Sequence, residues 1–369
     1  MTMPRPAINL LSLVTVLICC TLIFPSCSKS TPGETVTGTS TIKPIAAIKL
    51  SGVVVSGVSK KLTISVSTVG VAPVAKDVTV STIGAGLEID AQGILPASMI
   101  TTSGITVTGD SVLYNGITVT NKTLIVTHGD LLNSTKLYGN LAYATITFGD
   151  GAAMATTLRI PFFIYYKAVE PSGTQLAAHA ADLFGIGPGY SNGSKSIASP
   201  LSYLPITGGQ ISGFKLSLVN FNSNTSQCAL LTVGLTPSDL EPATGFNLHP
   251  LSALVGGGYA NYITGTIVYN STTFTGQMAF STGYIANSII QDPKFTGATY
   301  TSLAAASSVR IVTNNGFNYL YAVSSSANAT LIENPTNSGE NRSVFGIDFF
   351  LNNEFLVDYT NHQIGIKNN

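Results

Sequence analysis

Runs in which apolar and polar residues alternate recur from about residue 45 to the end of the chain. Leu62-Thr63-Ile64-Ser65-Val66, Gly104-Ile105-Thr106-Val107 and Ile263-Thr264-Gly265-Thr266-Ile267-Val268 set β-branched side chains at every second position and are bounded by Gly, Asn or Pro. A period of two places successive side chains on opposite faces of an extended strand, so one face is buried while the other meets solvent. These runs predict strands, and the punctuating residues predict the turns between them. No amphipathic helical pattern extends beyond about three turns. The chain reads as all-β, and 369 residues suffice for two lobes with separate cores.

Charge narrows the partners. Lys plus Arg and Asp plus Glu number 17 each, and only 9% of residues are charged. No basic field is present to attract a polyanion, which excludes a nucleic-acid partner. Gly, Ser, Thr and Asn supply a hydrogen-bonding, uncharged surface instead. The sequons Asn121-Lys122-Thr123 and Asn270-Ser271-Thr272 follow from that composition. His128, His179, His249 and His362 are scattered without Cys or acidic residues at ligand spacing, so they read as surface or loop residues; no metal or other cofactor is expected. Asp110 and Asp150-Gly151 read as turns.

The N-terminus reads as an export signal. Arg5 precedes the mostly apolar stretch from Ile8 to Phe24, and Phe24-Pro25-Ser26-Cys27-Ser28-Lys29 resembles a bacterial lipoprotein cleavage box with Cys27 as the lipidated residue. The Ser-Cys-Ser-Lys spelling is similar to lipoproteins of the Bacteroidetes type. Phe24 and Pro25 depart from the residues usual before such a cysteine, leaving ordinary cleavage or an uncleaved anchor as alternatives. Residues 1–27 are the expected signal, 28–44 a Ser/Thr/Pro tether, 45–212 a first lobe and 213–369 a second. The expected product is exported and lipid-anchored to a bacterial outer membrane. Cys228, in the apolar run Cys228-Ala229-Leu230-Leu231, is then the single mature thiol and reads as a core residue.

Two short stretches carry the candidate chemistry. Val80-Ser81-Thr82-Ile83-Gly84 and Phe280-Ser281-Thr282-Gly283 lie 200 residues apart. Their spacing and order resemble the two Asp-Thr-Gly loops of a pepsin-like aspartic peptidase, with serine at each catalytic position. Asp182-Leu183-Phe184-Gly185-Ile186-Gly187 and Ser343 to Leu351 are similar to that family's hydrophobic-hydrophobic-Gly segments. Phe355-Leu356-Val357-Asp358 through Gln363-Ile364-Gly365-Ile366 resembles its last hairpin. Tyr138-Gly139, followed by Tyr143 to Phe148, resembles the flap tyrosine and its strand. Phe214 to Val219, Ala229 to Gly234 and Tyr259 to Val268 resemble strands opening a second lobe. The resemblance implies two similar β-barrel lobes with a cleft between them, Thr82 and Thr282 hydrogen-bonded across the lobe interface, and a ligand-facing set of Tyr138, Thr82, Thr282, Gly283 and Tyr284. Ile83 departs from the pattern, which has glycine there; either Ile83 fills the position or Gly84 does.

That peptidase mechanism needs two carboxylates sharing a proton, and serine hydroxyls at 81 and 281 cannot replace them. Asp77 lies about 13 Å back along its strand, Asp90 lies beyond a turn, and no Asp or Glu occurs from Pro242 to Gln291. The expectation is a non-catalytic protein that holds a protein, peptide or glycan in the cleft. Its rivals are a residual peptidase with acids from distant segments, a hydrolase using Ser191 in Gly189-Tyr190-Ser191-Asn192-Gly193, and a structural protein with a filled cleft. The Ser191 motif lacks the preceding strand and following helix of a nucleophile elbow.

Overall fold

The computed structural model describes residues 42–56, 59–129, 134–151, 153–221, 227–283, 288–324 and 328–369. The export signal with Cys27, most of the tether, and Tyr284 lie outside these residues.

Extended structure dominates, in the register that the alternation dictates. In the strand Ser59–Val69, Leu62, Ile64 and Val66 are fully buried, and in the strand Ile263–Tyr269 the residues Ile263, Ile267 and Tyr269 are buried. Gly104-Ile105-Thr106-Val107 falls short of its expectation. Only Gly104–Ile105 is extended, in a small hairpin with Ile100–Thr101. Thr101 there bonds to both the nitrogen and the oxygen of Gly104, so a turn wins over a strand.

Two large sheets result. The smaller has eight strands and contains Thr272–Phe280 flanked by Ile263–Tyr269 and Arg342–Phe345. The larger runs from Asn247–Pro250 through the C-terminal hairpin Asn353–Asp358 and Gln363–Asn368, then Ile211–Leu216, Ala229–Leu235 and Ala46–Ser56, and on into Ser59–Val69 and Ala72–Ser81. Strands from both ends of the chain therefore share one sheet. The boundary expected between 212 and 213 falls inside the strand Ile211–Leu216, whose partners are Ala229–Leu235 and Asn353–Asp358. Ala229–Leu235 in turn pairs with Ala46–Leu50. The segments Phe214 to Val219 and Ala229 to Gly234 thus belong to the bridging sheet, whereas Ile263–Tyr269 belongs to the second lobe.

A four-strand arrangement occurs twice and positions the site. Ala72–Ser81 lies parallel to Leu183–Ile186, with Val80 opposite Phe184 and Ser81 opposite Gly185. Leu183–Ile186 is antiparallel to Ala85–Asp90, which runs parallel to Ile160–Val169. In the second lobe Thr272–Phe280 lies parallel to Arg342–Phe345, with Phe280 opposite Phe345. That strand is antiparallel to Ser288–Gln291, which runs parallel to Thr330–Glu333. The duplication extends to single hydrogen bonds. The Asp90 N–H donates to Asp182 Oδ1 (2.9 Å), and the N–H of its counterpart Gln291 donates to Ser343 Oγ (3.0 Å).

Parallel strands buried on both faces need near-continuous apolar side chains. Val78, Val80, Leu87, Ile89 and Phe184 fill the first lobe without exposure. Phe280, Phe345, Phe349 and Phe355 fill the second, with the Phe280 and Phe349 rings 4.3 Å apart. Each such side chain contributes about 1.5–3 kcal/mol by leaving water. Gly185 is required in this packing because a Cβ there would lie 2.6 Å from the Ala85 nitrogen. Cys228 is buried in the same core.

Candidate functional site

Each four-strand arrangement delivers its first strand into a loop, and the two loops meet. The Thr82 O–H donates to the Phe280 carbonyl (2.5 Å), while Thr82 Oγ1 accepts from the Thr282 N–H (3.1 Å). The Thr282 O–H donates to the Val80 carbonyl (2.8 Å). The polar atoms of this lattice are buried, Thr82 being 2% and Thr282 0% exposed. Hydrogen bonds between buried groups hold most firmly where water cannot compete. Ser81 and Ser281 flank the lattice and are buried as well. Ser81 Oγ accepts from the Gly84 N–H (2.9 Å). Gly283 presses on Ser81 from the other lobe, since a Cβ at 283 would lie 2.9 Å from the Ser81 Cβ.

Asn261, which sequence reasoning missed, clamps the first loop from the second lobe. Its Nδ2 donates to the Ile83 carbonyl (2.7 Å), and its Oδ1 accepts from Arg342 Nη1 (2.6 Å). Arg342 is held in turn by both carboxylate oxygens of Glu340. The Glu340 hydrogen bonds, with its charge, raise the Arg342 pKa despite burial. A lone Asn in Ala260-Asn261-Tyr262 gives no local signal, because its partner is a backbone carbonyl 178 residues away.

Among the described residues, the acids weighed as replacements have places or partners of their own. Asp77 is exposed on its strand. Asp90 closes the strand that leaves the first loop, about 17 Å beyond Ala85, and its carboxylate accepts from the Gln92 and His179 N–H groups. In the second lobe Asp292 accepts from the Tyr269 hydroxyl, Glu333 from Gln291, and Asp358 from Asn361 and Gln363. Burial, with the Asp292 hydrogen bond and charge, pushes the Tyr269 phenol up to about 12.

Tyr138 is not at a hairpin tip. It lies within the strand Ser134–Ala144, opposite Ile125 on one side and Lys167 on the other, and the Lys167 ammonium sits 5.5 Å from its ring centroid. Tyr138 is thus paired on both sides, within a strand of the hairpin that Ile117–Gly129 and Ser134–Ala144 form. Ser191 lies in a short hairpin, Tyr190–Ser191 with Ser194–Ala198, and its Oγ accepts from the Gly193 N–H (3.3 Å). Among the described residues, neither the strand-turn-helix context nor a base bonded to its hydroxyl is present. Two histidines are corrected from loop positions to strands, His249 in Asn247–Pro250 and His128 in Ile117–Gly129, while His179 lies in a turn as expected. His249 is 5% exposed and bonds to Thr313, His128 bonds to Glu88, and His179 bonds to Asp182. The Glu88 and Thr313 partners are 40 and 64 residues away in sequence, so local spacing could not reveal them.

A groove of about 390 Å³ opens on the first lobe between Val74, Lys76, Gln92, Ile94 and His179. Its polar wall is committed internally, because His179 Nε2 meets the Gln92 carbonyl (2.9 Å) and Nδ1 meets Asp182 (2.8 Å). Burial pushes the Asp182 carboxyl up, against bonds from Tyr165, His179 and Asp90 that pull it down.

The twofold repetition of the four-strand arrangement, the loop lattice and the sheet joining both lobes have a parallel among solved structures. The fold is bilobal and pepsin-like. It is similar to that of an aspartic proteinase from Irpex lacteus, with a TM-score of 0.54, 14% identity, and coverage of 87% of this chain and 96% of that one. No protein-family model matches the chain, and no curated protein does. Within this pepsin-like frame the structure brings together Ser81, Thr82, Ser281, Thr282 and Gly283, and leaves Tyr138 outside that group.

Proposed function

We propose that this chain is a non-catalytic pepsin-like protein, exported and lipid-anchored through Cys27, that holds a peptide or glycan at the junction of its lobes. The observation that carries the reading is the pair of interlocked loops with buried hydroxyls, Ser81 and Ser281, where the peptidase chemistry requires carboxylates. The engagement of Asp90, Asp292, Glu333 and Asp358 elsewhere supports it. An uncharged floor favours ligands rich in hydroxyl and amide groups over cationic ones.

The purified mature protein is expected to show no statine-sensitive cleavage of a denatured protein substrate between about pH 3 and about pH 5, the window of a carboxylate dyad. Such cleavage would overturn the reading. Glycan and peptide arrays supply the second arm, with saturable retention of one class expected. The clamp from Asn261 onto Ile83 favours a second reading, a structural surface protein with a fixed junction; failure of both ligand classes would select it. Cys27→Ser is expected to abolish labelling by a fatty-acid probe, and unchanged labelling would place the anchor elsewhere.

A further inference from the structure

Glu88 stands on the inner strand Ala85–Asp90, where Leu87 and Ile89 point into the main core. Glu88 therefore points to the opposite face with Gly86, where an added Cβ would lie 2.2 Å from Ile197 Cγ2. On that face Val126, Leu137, Leu141, Phe163, Tyr165 and Ile197 form a second, smaller apolar cluster. A carboxylate 2% exposed in such surroundings needs a partner. It has His128, whose Nε2 lies 2.5 Å from Glu88 Oε2. His128 is the penultimate residue of the strand Ile117–Gly129, paired with Thr135 of Ser134–Ala144. Its side chain keeps a third of its surface in water, so protons reach it without unfolding.

We infer that the Glu88–His128 pair is a proton-operated latch that fastens the strand Ile117–Gly129, near its end, to the inner strand of the first lobe. While the imidazole is charged, the buried carboxylate is compensated. When it loses its proton, the buried carboxylate keeps at most a hydrogen bond and loses the charge that compensates it, so the strand is held less firmly at this point. Burial alone pulls the His128 pKa down, but the charge and hydrogen bond of Glu88 outweigh it and leave it raised. A histidine raised in the folded state contributes stability that is complete below its unfolded value and is lost as pH rises through the folded one. The latch is therefore closed on the acid side and open on the alkaline side.

Among the described residues, the other charged and titratable groups near the pair have partners or places of their own. Asp90, on the Glu88 face, accepts from Gln92 and His179. Tyr165, on the neighbouring strand, donates to Asp182, and Lys167 lies over the Tyr138 ring. Thr135 is opposite His128 across the sheet, and Lys136 beside it is exposed. From the hairpin Tyr190–Ala198, Asn192 Nδ2 donates to the Thr127 carbonyl, and Lys195 reaches toward Gly256.

The latch stands whether or not the lobe junction takes a ligand, and its test reads the hairpin alone. Hydrogen exchange of the amides in 117–129 and 134–144, corrected for intrinsic base catalysis, is measured on the full mature chain. Local opening should rise as pH is raised from about 6 to about 9, by about tenfold for each unit by which folding raises the His128 pKa. His128→Gln keeps a donor that does not titrate and should flatten this dependence, as should Glu88→Gln. A flat wild-type profile, or an unchanged slope in His128→Gln, overturns the latch. Should Glu88→Gln fail to fold, the His128→Gln comparison decides alone.

Discussion

Thr82 carries more of the lobe junction than its size suggests, because one hydroxyl both donates to Phe280 and accepts from Thr282. Thr82→Val keeps the shape and removes both bonds, leaving a buried carbonyl and a buried N–H unsatisfied. The expected loss is about 1–3 kcal/mol for each orphaned group, measured by urea unfolding; a change below about 0.5 kcal/mol, ordinary for a surface substitution, would show that the lattice is incidental. The serines beside it invite the reverse change. Ser81→Asp with Ser281→Asp would bury two carboxylates that repel each other, and such groups have raised pKa values. Raised carboxyl pKa values give stability that is present at low pH and lost as pH rises through them. The double variant should thus lose about 2 kcal/mol more at about pH 7 than at about pH 4, relative to wild type, read from thermal unfolding at both. An equal loss at both values would show that the carboxylates reach solvent. Both threonines and both serines were legible in the sequence, since the Ser-Thr pair recurs 200 residues on. Asn261 and Glu88 were not, because each acts on a group brought near only by folding.

At the scale of elements, the period-two pattern marked strands well and their partners poorly. Leu62 to Val66 and Ile263 to Val268 lie where the alternation puts them, since half-buried strands show their buried face locally. The pairing of Val80 with Phe184 spans about 100 residues, and no local pattern encodes a partner so distant. The same limit hides why glycine follows Tyr138: Gly139 is needed inside the sheet for closeness, since a Cβ there would lie 2.1 Å from the Ile164 carbonyl oxygen. Gly139→Ala should force Ser134–Ala144 away from Ile160–Val169 and cost about 3 kcal/mol or more. Gly104→Ala is the control, since a Cβ at 104 meets nothing within 4 Å. Equal melting temperatures for the two variants would contradict the packing of these strands.

Across the whole molecule, the lobes are joined in more ways than the duplicated loops require. Ala46–Ser56 pairs through Ala46–Leu50 with Ala229–Leu235 and through Ser51–Ser56 with Ser59–Val69, so one strand serves both halves. Lys60 bonds to Asp348 at 2.8 Å, and the Tyr359 hydroxyl donates to the Ile186 carbonyl and meets Ser199. Burial pushes the Tyr359 phenol well above its ordinary pKa, so that hydroxyl keeps its proton at any ordinary pH. Cutting the chain between 212 and 213 would sever Ile211–Leu216 and leave Ala46–Leu50 without Ala229–Leu235. Each half would then carry an open apolar sheet edge, the surface on which strands aggregate. Segments 45–212 and 213–369 expressed separately should therefore be insoluble or lack dispersed amide resonances, while together they should recover a folded complex. The intact chain should unfold in a single calorimetric transition, because losing either lobe exposes the sheet they share. Two separate transitions, or cooperative folding of either half alone, would show that the bridging sheet is a contact between independent domains and not their common core.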